Sequence, residues 1–189
     1  MPNTILDPTG RTGRTGRADH REGLALAPRP ADLRGATVGL LENTKQNAAL
    51  FLQELGRLLV ERHGAAGVLL RTKANFALPV PDDLLEELAD RCEVVITGVG
   101  DCGSCSVSAV ADGIAFERRG LPAAVICSDA FGPSADAMAR AQGAPGYRYL
   151  TTRHPVAPLT PDEVRARALE ALPGVVSTLL HVQAREGAA

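Results

Sequence analysis

A chain of 189 residues, 45% hydrophobic and 22% charged, suits one α/β core with a tail. Its 20 Lys and Arg against 22 Asp and Glu leave no excess to draw the chain to nucleic acid or a membrane, and 3% aromatics without Trp provide no base-stacking platform. Apolar runs such as "LPAAVIC" fall far short of the ~18–20 residues that span a bilayer, and no charged start precedes a signal-like stretch, so a soluble, cytoplasmic protein acting on a small molecule is expected.

Residues 1–35, with the repeat "RTGRTGR", are rich in Gly, Arg and Pro and lack an apolar period, which predicts an extended or partly ordered N-terminal tail. From residue 36 to 183 strand-like runs alternate with helical patterns, and residues 184–189 form a C-terminal tail. "ATVGLLEN" leads into "NAALFLQELGRLLVERHG", whose Leu50, Phe51, Leu55, Leu58 and Leu59 recur at helical spacing up to Gly64. "AGVLLRTK" precedes "PDDLLEELADRC", where Pro81 and two aspartates make a helix start. "EVVITGVG" enters "DCGSC" and a helix running to Gly120; "LPAAVICSDAF" and "GYRYLTTRHP" each precede a further helix, the last one interrupted by Pro173.

Five β-α units with continuous apolar strands predict a parallel sheet covered on both faces. The expected fold is a three-layer flavodoxin-like (Rossmann-like) α/β domain with strand order 2-1-3-4-5. Ligand crevices in such sheets lie beyond the carboxyl ends of the strands. That edge collects Asn43, Thr44 and Lys45 after the first strand, Lys73 after the second, Gly100 to Cys105 after the third, Cys127, Ser128 and Asp129 after the fourth, and His154 after the fifth.

Cys102 should lie at the N-cap of its helix and Cys105 one turn inside, on the same face. The helix N-terminus lowers a thiol pKa, so Cys102 is the expected nucleophile and Cys105 its resolving partner. Asp101 opposes this: a carboxylate roughly 6 Å from a thiolate costs about 2–3 kcal/mol, comparable with what a helix end supplies. Either Lys45 or Lys73 offsets it, or Asp101 is itself a proton carrier, unless it simply caps the helix. His154 could exchange a proton or serve only as a His-Pro turn; Cys127 could join the site as a third thiol or be a small core residue. Cys102, Cys105, Cys127 and His154 could together hold zinc, though the paired motif of a structural zinc site is missing.

The stretch "VVITGVGDCGSCSVSAVADGIAFERRGLPAAVICSDAF" resembles the UGSC family of small (seleno)proteins, named for a Sec/Cys-Gly-Ser-Cys motif that stands here as Cys102-Gly103-Ser104-Cys105. "LDPTG", "GLLENTKQNA", the helix bearing Asp112 and Glu117, and the closing "HP" extend the resemblance over most of the chain. A shorter likeness is to the Sec-bearing subunits of glycine, sarcosine and betaine reductases. The resemblance implies that Cys102 stands where some members carry selenocysteine, which selects it as the attacking atom. Here that position is Cys, and Gln46 replaces the proline of the family's usual loop.

Together these readings predict a thiol-dependent enzyme. Cys102 would attack an electrophilic carbon, sulfur or peroxide, with Cys105, Asp101, Lys45 and His154 in catalytic roles. Asn43, Thr44, Lys73, Gly100, Gly103, Ser104, Cys127, Ser128 and Asp129 would contact substrate. No bound cofactor is required beyond an external thiol reductant, with zinc the minor alternative. A non-redox lyase, hydrolase or transferase using the same cysteine, and a non-catalytic ligand-binding module, are the rival readings. Assembly with further copies of the chain or with a partner enzyme is left open.

Overall fold

A computed structural model describes residues 24–180. The "RTGRTGR" repeat and the C-terminal tail at 184–189 lie outside the described residues.

The strands are β1 (Thr37–Glu42), β2 (Gly67–Thr72), β3 (Val94–Gly100), β4 (Ala123–Ser128) and β5 (Leu150–Thr152), all parallel, in the order β2-β1-β3-β4-β5. The expected flavodoxin-like order is therefore the observed one. Burial follows position in the sheet. Every residue of the inner strands β3 and β4 is buried, whereas the edge strand β2 is half-exposed. Continuous apolar runs suit strands covered by helices on both faces.

The helices are α1 (Ala48–His63), α2 (Asp82–Arg91), α3 (Gly103–Arg118), α4 (Gly132–Ala141) and α5 (Pro161–Leu179). Helix α1 buries Phe51, Leu52, Leu55, Leu58 and Leu59 with α5 residues Val164, Ala168, Val175 and Leu179, against β1 and β3. It ends at Gly64, whose φ of 71° is the left-handed conformation that closes a helix. On the other face α3 and α4 pack with β4 through Val110, Ile114, Val125 and Ala139, and α2 packs beside them through Leu88.

Helix α5 runs through Pro173 rather than stopping there. Proline removes one helical hydrogen bond at a cost of about 3 kcal/mol. Val175 and Leu179, beyond it, are fully buried and contribute roughly 1.5–3 kcal/mol each, so core packing outweighs the lost bond.

Residues 24–35 adopt no helix or strand, yet Ala27 and Leu33 are buried and Arg29 pairs with Glu117 of α3. Glu117 is saturated with donors: Arg29 Nη1 and Nη2 at 2.6 and 2.7 Å, and the N–H groups of Ala27 and Ala123 at 2.7 and 2.9 Å. Asp112, midway along α3, accepts from Lys73 Nζ at 2.5 Å and Val80 N–H at 2.7 Å. Two buried carboxylates thus bolt α3 to the surrounding chain, which fixes the helix whose N-terminus carries the cysteines. No described helix is long and apolar enough to cross a membrane.

Candidate active site

Strand β3 delivers the chain to α3 through Gly100, Asp101 and Cys102. A Cβ at Gly100 would lie 2.7 Å from Ser106 Oγ, 2.8 Å from Ser106 Cα and 2.9 Å from Cys127 Sγ. Only glycine lets the helix sit so close to the strand end, so Gly100 has a packing role rather than the expected substrate contact.

Cys102 is the N-cap of α3, in extended backbone, and its sulfur accepts the Cys105 N–H at 3.2 Å. The two cysteines are joined as a disulfide, with Cα atoms 5.1 Å apart. They are unequally placed: Cys102 is partly exposed while Cys105 is fully buried. Ser104 is exposed, and its Oγ is 3.5 Å from the Cys102 sulfur. Gly103 opens the helix, and a Cβ there would meet only Ser134 Oγ at 3.8 Å.

Asp101 does not cap α3. It is buried and turns toward the loop between β5 and α5, where its Oδ2 accepts the N–H groups of Val156 and Ala157 at 3.0 and 2.9 Å. Its Oδ1 lies 3.0 Å from His154 Nδ1. The group that offsets Asp101 is therefore this imidazole with two backbone donors, not Lys45 or Lys73. Ser128, fully buried, donates its hydroxyl to Gly100 O at 3.2 Å, which turns an oxygen lone pair toward His154 Nδ1 at 3.3 Å. With two acceptors around it, Nδ1 carries the proton and Nε2 is the accepting nitrogen of the neutral ring. Asp129 is exposed and holds the His154 backbone N–H at 3.0 Å, and Phe131 meets the imidazole edge-on, centroids 5.3 Å apart. Ser128 and Asp129 thus support His154.

Two more of the expected contacts depart from the crevice. Lys73 is 1% exposed; its ammonium is held by Asp112 and by Ser108 Oγ at 2.7 Å, because a buried cation at the end of β2 needs a carboxylate from the helix above. Cys127 is fully buried beneath Gly100, and burial pushes its thiol up to about 12, so it is a core residue and not a third thiol of the site. Zinc finds no set of three or more His, Cys, Asp or Glu among the described residues.

The loop after β1 supplies the remaining candidates. Asn43 is buried and donates through Nδ2 to Val99 O at 3.0 Å; its Oδ1 has no partner among the described residues. Thr44 is exposed and has φ of 61°, rare for a β-branched residue; its N–H donates to the buried Glu42 carboxylate at 2.6 Å. Lys45 is half-buried, with Nζ 5.3 Å from the centroid of the Phe76 ring.

A family model describing the UGSC family matches residues 4–181. The chain belongs to that family. No curated protein matches this UGSC-family chain. Among solved structures, a diflavin flavoprotein A3 from Nostoc sp. is similar at 14% identity, with a TM-score of 0.44 over 74% of this chain and 90% of that one. A flavodoxin-like domain from Synechococcus sp. is similar at 12% identity, with a TM-score of 0.37 over 73% and 96%.

Sequence reasoning missed Asn47, Glu42, Phe131 and the Val156 and Ala157 amides. Asn47 had a readable signal: an asparagine just before a helix is suited to left-handed backbone, and its φ is 68°. The amides carry no side-chain signature, so only the fold brings them to Asp101.

Proposed function

We propose that this chain is a cysteine-dependent oxidoreductase that reductively cleaves a small electrophilic molecule through the Cys102 thiolate. The observation that carries the reading is a disulfide-forming pair at a helix mouth, with the more exposed sulfur one residue from a carboxylate that orients an imidazole. The same logic, a nucleophile beside a base held by a third group, underlies nucleophilic catalysis in general.

In the reduced protein His154 Nε2 takes the Cys102 proton, and the α3 N-terminus favours the resulting thiolate. The thiolate attacks X of an X–Y bond, where X is sulfur or peroxide oxygen. The S–X bond forms, X–Y breaks, and Y leaves with the bonding pair and a proton from the imidazolium. The Cys105 thiolate then attacks Cys102 Sγ, and X leaves with its pair and a proton. The substrate gains two electrons and the dithiol becomes a disulfide, which an external thiol reductant of the cytoplasm resets. The Cys105 N–H, which donates to Cys102 Sγ, and the Ser104 hydroxyl, 3.5 Å from it, stabilise the negative charge that develops there, with Lys45 as a candidate cation of the loop after β1. Placement of Cys102 where resembling proteins carry selenocysteine further supports it as the attacking atom.

Turnover of a disulfide or peroxide with added dithiol tests the reading. Cys102→Ser abolishes it. Cys105→Ser permits one adduct per chain and then stops unless thiol is supplied; many turnovers without added thiol would instead favour a lyase, hydrolase or transferase.

A further inference from the structure

His154 lies in neither a strand nor a helix, so something else must fix it. The segment 154–159 between β5 and α5 is gripped from both polarities. Its N–H groups go to carboxylates: His154 to Asp129, Val156 and Ala157 to Asp101. Its carbonyls go to one side chain, Asn47, whose Nδ2 donates to Val156 O at 3.1 Å, Ala157 O at 3.0 Å and Leu159 O at 2.8 Å. Asn47 sits at the mouth of α1 with its backbone at φ 68°. A carboxamide is the group of this size that presents N–H donors without charge, and asparagine is the non-glycine residue best suited to that backbone.

We infer that Asn47 is a positioning residue for the acid–base pair. By holding the carbonyl side of the loop while Asp101 holds its amide side, it sets where the His154 imidazole stands relative to Cys102. The inference rests on the proposed acid–base role of His154. Charged groups around that imidazole are Asp101 on the β3–α3 turn and Asp129 after β4. Within its own loop Arg153 is paired with Glu170 of α5 at 3.0 Å, and Arg167 of α5 donates to the Arg153 carbonyl.

The test is the rate of iodoacetamide alkylation at Cys102 in the reduced full chain, followed by peptide mass analysis from pH 5 to 9. It is run on the wild type, His154→Ala, Asn47→Asp and Asn47→Gly. Aspartate keeps the side-chain shape and glycine keeps the backbone freedom, so at least one substitution preserves each native feature other than the donors. Both Asn47 variants are expected to lower the rate at neutral pH at least about tenfold and to move the pH midpoint toward that of His154→Ala, since misplacing a catalytic group by about 1 Å costs up to ~10²-fold. A purely structural Asn47 would lower melting temperature and leave rate and midpoint of the folded protein unchanged. That result, alongside an altered His154→Ala profile, overturns the positioning role alone. An unaltered His154→Ala profile overturns the acid–base reading itself, and the positioning role with it.

Discussion

The body of helix α3 and its mouth use acidic residues in opposite ways. Around Asp112 and Glu117 the side chains are buried, and each carboxylate oxygen is held by a donor of the surrounding scaffold. At the helix mouth, ~14 Å from Asp112 and ~21 Å from Glu117 along the axis, Asp101 directs its oxygens to a loop and an imidazole, and Nε2 of the part-exposed His154 has no partner among the described residues. A partner withdrawn from solvent suits an anchor, whereas a buried acid that orients an exposed imidazole suits the proposed working site. The same contrast separates the two lysines, one buried in a pair and the other beside Phe76 at the crevice.

The largest effect that would break the comparison belongs to Glu117. Glu117→Ala strands Arg29 and two backbone donors and is expected to cost about 3–5 kcal/mol in denaturant unfolding, while the alkylation rate of the folded fraction at Cys102 stays at the wild-type value. A large change in that rate would mean the anchor and the site are not separable.

Lys73→Met comes next, because it leaves Asp112 buried without its cation. Burial already pushes the Asp112 carboxyl above its ordinary value against the pull of Lys73, and removing Lys73 raises it further. A carboxyl whose folded pKa is raised loses stability as pH climbs from 3.8 through the folded value. The deficit of Lys73→Met relative to wild type should therefore be greater at pH 8 than at pH 5, read from melting temperatures at the two pH values. Lys45→Met has the smallest expected effect on stability, within about 0.5 kcal/mol, since only an aromatic face is lost. If the two lysines proved equally costly, withdrawal from solvent would not distinguish anchor from site.

Much of the scaffold is legible in the sequence. Alternating apolar runs and helix patterns carry the parallel sheet because buried parallel strands must be apolar on both faces, while the order 2-1-3-4-5 is the flavodoxin-like choice among such sheets, and the C-terminal edge then follows from topology. Cys102 and Cys105 were equally legible, since their spacing and the preceding strand place one at the helix mouth and the other behind it. Partner choice was not. Lys73 and Lys45 look alike in sequence, and only the position of Asp112 above β2 decides that one is withdrawn into the core. Cys127 and Gly100 both end strands, which leaves a crevice role open for each and a core role open for Cys127; the close seating of α3 makes Cys127 core and Gly100 clearance. Pro173 suggested a break that the packing of Val175 and Leu179 overrides.

The most direct test of the central claim is to trap the first covalent step. Reduced Cys105→Ser protein is mixed with one equivalent of 5,5′-dithiobis(2-nitrobenzoate) at pH 7 and the adduct is located by peptide mass analysis. The account predicts one thionitrobenzoate on Cys102 and one released per chain. Cys92 and Cys127 stay unmodified, because burial pushes their thiols up to about 11 and about 12. An adduct confined to Cys92 or Cys127, or none with Cys102 left free, would contradict it.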